Sequence, residues 1–181
     1  MTDEKLSREE EEFNQQTREE FAEVFQKQEA SLTDEELRKR ALRFLHNQVV
    51  GTLATCFDNE PRSTPVRYRC QGFAIYILTE GGGKVRNIRE NNKVSFSLYG
   101  KYAGFRTVRG MQLWGTAEII EPKDKENYSK AFEIMKLQER EDLKKVGIEE
   151  VQPGMAIIKI TPNRVRYLNV PEGILNREIM L

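Results

Sequence analysis

The sequence predicts a mainly β fold, a small antiparallel barrel with flanking helices, on the strength of three observations. Runs with the two-residue period of strands recur from residue 49 to residue 169. Short turn signals rich in Gly, Pro, Asn and Asp separate these runs. Segments with helical spacing lie before and between them, and short strands interrupted by helices are typical of a closed antiparallel barrel. The 181 residues suit one such domain with an appended helix.

Two longer helices are predicted on either side of the first strands. The first begins at Thr33, which forms a capping box with Glu36 ahead of one apolar face made by Leu37, Ala41, Phe44 and Leu45. The second begins at Pro122, because proline is favoured in the first turn of a helix, and ends near Gly147.

The strands themselves follow from alternation and from the turns between them. We predict strands at Val49–Phe57, Arg62–Cys70, Phe73–Thr79, Lys93–Tyr99, Thr107–Ile120, Met155–Thr161 and Val165–Asn169. Turns are predicted at Asp58-Asn59, at Gln71-Gly72 and at Pro162-Asn163.

Charge is unevenly distributed although the formal net charge is +0. Residues 1–36 contain thirteen acidic side chains against four basic ones, whereas residues 62–109 contain ten basic against two acidic. We therefore divide the chain into a charged N-terminal helical arm (1–32), a barrel domain (33–171) and a C-terminal tail (172–181). The barrel domain is predicted to attract anions, and we expect it to fold without the arm.

A run of three glycines and a lysine, Gly81 to Lys84, lies between a predicted strand and a helix-like segment at Val85–Asn92. Glycines let backbone N–H groups approach a ligand, the helix start adds a positive dipole, and Lys84 adds a full charge, so the loop suits a phosphate. The phosphate-loop and dinucleotide patterns fail, because Leu78, Val85 and Arg86 stand where those patterns need a glycine, a hydroxyl and a glycine. A glycine turn followed by a solvated lysine remains the alternative.

Cysteine and histidine predict no metal site and no disulfide. The predicted strands place Cys56 near Ser63 and Cys70 near Val49, roughly 20 Å apart, which is too far for a bridge. Without a Cys-x-x-Cys pair, the two thiols and His46 leave no ligand set for zinc. We expect both thiols to be reduced and His46 to end the first helix.

Neither a membrane nor a nucleic acid is an expected partner. No apolar run approaches the roughly 18 residues of a membrane helix, and the first residues lack the features of a signal peptide. The basic residues are scattered along strands and form no nucleic-acid reader motif. We expect a cytoplasmic protein.

Several segments together resemble one known family, the pyridoxamine 5′-phosphate oxidase-like FMN-binding split barrels. The resemblance covers roughly residues 33 to 169 and rests on segments in a fixed order, namely Gly51–Thr55, Glu60–Val66, Ile75–Thr79, Gly83–Ile88, Glu90–Ser95 and Leu113–Glu118. It implies a six-stranded antiparallel split β-barrel with flanking helices, a homodimer, and two FMN molecules bound at the subunit interface.

The resemblance also implies three groups of cofactor-binding residues. One segment lies along the flavin and comprises Arg62, Ser63, Thr64, Pro65 and Val66. The loop and helix start bind the phosphate and comprise Thr79, Lys84, Val85, Arg86 and Asn87. A strand from the partner subunit contributes Gln112 and Trp114. No catalytic residue and no metal ligand is predicted.

This chain departs from the family pattern at two places. An arginine commonly precedes the phosphate-binding lysine, but Gly83 stands there, and Arg86 or Arg62 is the candidate replacement. The oxidases also carry a C-terminal Trp and Arg that hold their substrate, whereas residues 165–181 contain no Trp, so oxidation of vitamin B6 is not predicted.

Three functions remain open from the sequence. The first is an FMN-dependent oxidoreductase that passes a hydride or electrons between a reduced nicotinamide and an unidentified small molecule. The second is a flavin-binding electron carrier without a dedicated substrate. The third is a barrel that binds a deazaflavin or haem instead.

Overall fold

The structure is a computed structural model that describes residues 32–136 and 155–181, together with isolated positions from Phe13 to Ala22. Most of the predicted N-terminal arm, and the predicted helix end near Gly147, therefore lie outside the described residues. Among the described helices, none has both the length and the apolarity that crossing a bilayer requires.

Three α-helices are described: α1 (Asp34–Asn47), α2 (Gly83–Glu90) and α3 (Lys125–Met135). The predicted capping box of α1 is confirmed, since the Thr33 hydroxyl accepts from the amide of Glu36 while the Glu36 carboxylate accepts from the amide of Thr33. Helix α3 begins three residues after Pro122, because the side chain of Asp124 accepts from the amide of Asn127 and caps the helix there.

Eight strands form one curled antiparallel sheet, so the fold is mainly β, as predicted, with two strands more than the six expected. They are β1 (Val50–Phe57), β2 (Glu60–Arg67), β3 (Arg69–Gln71), β4 (Ala74–Thr79), β5 (Lys93–Tyr99), β6 (Arg109–Ile120), β7 (Ala156–Asn169) and β8 (Ile174–Met180). The strand order is β2-β1-β5-β6-β7-β4-β3, with β8 also paired to β7. The curl brings β2 near β4, which makes the sheet a split barrel.

The predicted turn at Asp58-Asn59 joins β1 to β2, but the predicted register was wrong. Both turn residues have positive φ, as a two-residue hairpin turn requires. The turn therefore has only two residues, and β2 begins at Glu60 rather than at Arg62. As a result, Cys56 lies opposite Pro61 rather than near Ser63. Cys70 likewise is not near Val49, whose carbonyl accepts from the amide of Tyr68. Both cysteines are free, as predicted.

The turn predicted at Pro162-Asn163 is instead a bulge within one long strand. Trp114 pairs with Arg164 and Gly115 with Pro162, so Asn163 is the extra residue on β7. A Cβ at Gly115 would lie 2.1 Å from the carbonyl oxygen of Thr161. Only glycine allows the two strands to approach this closely, which keeps β7 continuous through the proline.

The C-terminal residues that we separated as a tail contribute strand β8. Val165 pairs with Ile179, and both side chains are buried. The tail therefore adds to the core of the barrel. The core also contains the predicted apolar face of α1 and the inward side chains of β4, β5 and β6.

Candidate functional site

A cleft of about 360 Å³ opens in the split between β2 and the end of β4. Five residues predicted to bind a cofactor line it, namely Thr64, Pro65, Val66, Thr79 and Lys84. These residues come from two segments of the chain that the sequence separates by more than a dozen positions. The structure therefore brings together three of the five residues predicted to lie along the flavin and two of the five predicted to bind the phosphate.

The glycine loop at one end of the cleft has the backbone geometry of an anion cradle. Gly81 and Gly82 have φ values of 112° and 83°, which glycine adopts without strain. The first helical hydrogen bonds are donated by Val85 and Arg86 to the carbonyl of Gly82. Within the described residues, the amides of Gly82, Gly83 and Lys84 have no acceptor. The positive end of α2 therefore carries three N–H groups without an acceptor in the described part of the chain.

Thr79 fixes the start of this loop. Its side chain is buried, and its hydroxyl accepts from the amide of Gly81 at 3.0 Å. This bond turns the chain directly after β4 and holds the glycines at the mouth of the cleft. Thr79 therefore lines the cleft but uses its hydroxyl to shape the loop.

Two cations lie beside the glycines. The ammonium of Lys84 donates to the carbonyl of Gly81 at 3.0 Å, which leaves it two further donors. The guanidinium of Arg62 lies against Gly83, where an added Cβ would be 3.0 Å from its central carbon. A side chain at position 83 would compete with Arg62 for this space. Of the two candidate replacements for the missing arginine, Arg62 is the one beside Gly83.

One orphaned polar atom points to a ligand in the cleft. The hydroxyl oxygen of Thr64 is buried and has no hydrogen-bond partner. A buried hydroxyl without a partner is costly, so a ligand group that reached it would gain a hydrogen bond. A phosphorylated flavin fits this set of groups, because it brings an anion for the loop and hydroxyls for Thr64.

The other predicted residues of α2 and β2 do not line the cleft. Ser63 is exposed and pairs with Ala54 on the opposite face of the sheet. Asn87 is buried, and its amide nitrogen donates to the hydroxyl of Thr55 at 3.2 Å, which ties α2 to β1. Val85 packs into the core, and Arg86 projects into a neighbouring cavity.

Gln112 and Trp114 lie on the outer face of the sheet, away from this cleft. Gln112 is exposed and lines a separate groove of about 320 Å³. Trp114 is covered by the guanidinium of Arg164, whose central carbon is 4.2 Å from the ring centroid, and by Arg166 at 5.4 Å. Glu178 accepts two hydrogen bonds from Arg166, which holds the pKa of its carboxyl below the usual range.

Two neighbouring rows of the outer face around these two residues carry no charge over four strands. Two rows of aligned residues cross β2, β1, β5 and β6, and they comprise Pro65, Thr52, Ser97, Gln112, Ser63, Ala54, Ser95 and Trp114. Within these two rows, charged side chains begin at β7, with Arg166 and Arg164. Most side chains of the two rows are small, which allows another surface to approach closely.

Several residues of the cleft were not predicted. Arg67, Tyr68, Arg69, Leu78, Glu80, Met135 and Met155 also line it. The hydroxyl of Tyr68 donates to the carbonyl of Leu45 at 2.6 Å, and burial raises the pKa of Tyr68 far above its usual value. Alternation along β2 gives no signal for Arg67, because Arg67 has the same parity as the exposed Ser63. No local signal relates Met135 to Met155, because their proximity depends on tertiary packing.

The fold is similar to several solved structures. The General Stress Protein 26 from Bacillus anthracis str. Sterne is 21% identical, with a TM-score of 0.57, over 80% of this chain and 98% of that chain. A heme binding protein from Mycobacterium smegmatis is 18% identical, with a TM-score of 0.59, over 84% of this chain and 59% of that chain. A FAD-binding protein from Mesorhizobium loti is 20% identical, with a TM-score of 0.55, over 70% of this chain and 88% of that chain.

These identities show a shared fold and nothing more specific. No protein of curated function matches the chain. The family model described as pyridoxamine 5′-phosphate oxidase matches residues 37–169, in agreement with the resemblance seen in the sequence. Because that match spans well over half of its length, the chain belongs to the pyridoxamine 5′-phosphate oxidase family.

Proposed function

We propose that this chain is an FMN-binding flavoprotein, an oxidoreductase that passes a hydride or electrons through FMN to or from a small molecule. One observation carries the proposal. A loop of unpaired backbone N–H groups lies between two cations, Lys84 and Arg62, at the end of a cleft with an unsatisfied hydroxyl at Thr64. We place the protein in the cytoplasm, in keeping with the sequence expectation.

Each part of the cleft has a role in this proposal. The amides of Gly82, Gly83 and Lys84 bind the phosphate together with the Lys84 ammonium and the Arg62 guanidinium. The hydroxyl of Thr64 binds the ribityl chain, and the backbone of β2 at Pro65 and Val66 lies along the ring. The aliphatic parts of Val66 and Leu78 exclude water from the apolar side of the cleft.

The active form in this proposal is a homodimer. The two uncharged rows of the outer face give a second copy a surface on which to dock. Most small oligomers are symmetric, with the same patch of each copy in contact. Gln112 and Trp114 lie on that face, so docking carries them toward the cofactor site of the partner. Each site is then completed by residues of both chains.

The chemistry in this proposal comes from the cofactor. FMN when bound supplies a centre that accepts and releases a hydride, and the protein positions it, excludes water and tunes its charge. Reduced nicotinamide is the proposed donor. An electron carrier would bind FMN in the same way as the proposed oxidoreductase but would not turn over a dedicated small-molecule substrate.

The haem alternative has less support from the residues. Haem iron commonly takes a histidine ligand. The chain has one histidine, His46, and it ends α1, with its ring nitrogen 3.3 Å from the carbonyl of Gly72. It does not line the cleft. The solved relatives named for FAD and for heme show that the fold accepts different cofactors. The cofactor of this chain therefore has to be inferred from its own residues.

The visible spectrum of the purified protein, followed by titration with reduced nicotinamide, tests this function. We expect a yellow protein with flavin bands that bleach on anaerobic addition of reduced nicotinamide and recover with an electron acceptor. Bleaching without turnover by any acceptor would favour the electron carrier. A haem band, or a colourless protein that binds no added FMN, would overturn the proposal.

A further inference from the structure

A second cavity of about 460 Å³ lies directly beside the cofactor cleft. Thr79 and Glu80 line both cavities. At the start of β7, Met155 lines the first cavity and the next residue, Ala156, lines the second. The two spaces therefore adjoin along the end of β4 and the beginning of β7.

The glycine loop separates the two cavities without filling the space between them. Lys84 lines the first cavity, whereas Gly81 and Gly82 line the second. A Cβ added to Gly81 or Gly82 would meet no atom within 4 Å, so the loop borders open space there. A ligand that crosses the loop at Gly81 and Gly82 passes over backbone, with the side chains of Lys84 and Arg62 beside it.

One cation of the second cavity has no partner among the residues that the structure describes. Arg86 projects from the first turn of α2, is exposed, and makes no hydrogen bond or ion pair within the described residues. Arg89 is different, because it is bonded to Glu121 at 2.8 Å. Lys123 and Arg89 together hold the pKa of the Glu121 carboxyl below its usual range. Arg86 is thus the side chain available for an added negative charge.

The remaining lining suits a ribose more than a second isolated anion. Glu80 and Glu90 are exposed carboxylates at this cavity. Carboxylates of this kind bind ribose hydroxyls in dinucleotide sites. A nucleotide offers a phosphate for Arg86 and ribose hydroxyls for these carboxylates.

We propose that the second cavity binds the adenylate half of a flavin dinucleotide, with Arg86 on the second phosphate, so that FAD binds this protein more tightly than FMN does. The inference rests on the proposed function, because the flavin half occupies the cleft as described above. The first cavity has the volume for one small ligand, and the two together remain within the usual size of a cofactor site.

Calorimetric titration of the flavin-free full-length protein with FMN and with FAD tests this proposal. We expect FAD to bind about tenfold more tightly, as one added charge-assisted contact implies. Arg86→Gln should remove that advantage while changing FMN affinity less than about twofold, and Arg86→Glu should make FAD the weaker ligand. The control is Lys93→Gln, since Lys93 is exposed and lines neither cavity, and it should change neither affinity.

The outcomes separate this inference from the proposed function. Equal affinities for FMN and FAD, both unaffected at Arg86, would overturn the second site and leave FMN binding in place. Equal losses of both flavins in Arg86→Gln would also overturn it, since Arg86 would then act on the shared half. Failure of the wild-type protein to bind either flavin would overturn both.

Discussion

The two groups of predicted cofactor residues lie on different surfaces of the molecule. The cleft group, Thr64 to Val66 with Thr79 and Lys84, shares one cavity within a single chain. The outer-face group, Gln112 and Trp114, lies on the opposite side of the sheet beside Arg164 and Arg166. Under the proposed function, the first group binds the cofactor within one chain, whereas the second reaches a cofactor only in another copy.

This difference separates two kinds of contact energy. Contacts in the cleft depend on the local fold and are independent of protein concentration. Contacts from the outer face depend on association, so their contribution disappears when the copies separate. Substitutions on the two surfaces should therefore differ in whether they change the oligomeric state.

The largest effect is expected from a charge on the outer face. Ser97→Glu places a carboxylate at the centre of the uncharged rows, and burying an unpaired charge there costs several kcal/mol. We expect wild-type protein to scatter light as about twice the 21.1 kDa chain and the variant to scatter as a single chain. Flavin affinity should fall roughly a hundredfold as the partner contacts are lost.

The control is Ser129→Glu, which adds the same charge on the exposed face of α3. It should leave both the mass and the flavin affinity unchanged. A wild-type monomer that binds one flavin per chain would contradict the two-subunit site and leave the cleft group sufficient by itself.

A smaller effect is expected where Arg62 meets Gly83. Arg62→Gln should weaken FMN about tenfold, because one charge-assisted contact to the phosphate is lost. Gly83→Arg in that background places a cation on the loop itself, in space that Arg62 no longer fills. We expect the double variant to regain most of the lost affinity in a fluorescence titration. Tighter FMN binding by Gly83→Arg alone, where Arg62 still fills that space, would contradict the exchange. So would a double variant that binds FMN no better than Arg62→Gln.

Substitution of Thr64 by Val should change FMN affinity by a few fold. It should weaken FMN binding while it raises the stability of the flavin-free protein. Thr64→Val removes an unsatisfied buried hydroxyl, so the flavin-free protein should melt at a higher temperature. The same change should weaken FMN roughly threefold to tenfold, because the ligand loses a hydrogen bond. Thr64→Ser keeps the hydroxyl and should retain the affinity. Lower stability of the flavin-free Val variant would show that the hydroxyl has a partner within the protein.

The smallest effect on flavin affinity is expected from Cys70→Ala, because Cys70 belongs to neither the cleft group nor the outer-face group. Burial raises the pKa of the Cys70 thiol from its ordinary value of 9.0 to about 11. The folded state therefore binds this proton more tightly than the unfolded state does. The free energy of unfolding should consequently fall as pH rises from about 9 to about 11. Urea unfolding should show a steeper loss over that window in wild type than in Cys70→Ala. Parallel curves would place the thiol in contact with water.

The features predicted correctly from the sequence are those that neighbouring residues determine. The capping box of Thr33 and Glu36, the turn at Asp58-Asn59 and the loop of Gly81 to Lys84 each depend on a few adjacent residues. Such signals are local in origin and therefore visible in a sequence. The resemblance to the family added the split barrel.

The features that were missed depend on packing between distant segments. Pro162-Asn163 has the composition of a turn, but β6 and Gly115 accommodate it as a bulge. Strand β8 forms because β7 offers it a paired edge, which the last residues alone do not indicate. The contact of Arg62 with Gly83 requires the curl of the sheet.

The measurement that tests the central claim most directly compares FMN with riboflavin on wild type and Lys84→Ala. Riboflavin has the same ring and ribityl chain but no phosphate, so it makes no contact with the Lys84 ammonium. We predict that the variant binds FMN about tenfold to a hundredfold more weakly and riboflavin almost as before, with an unchanged thermal melt. Equal losses for both ligands, or no loss for either, would contradict a phosphate site at the glycine loop.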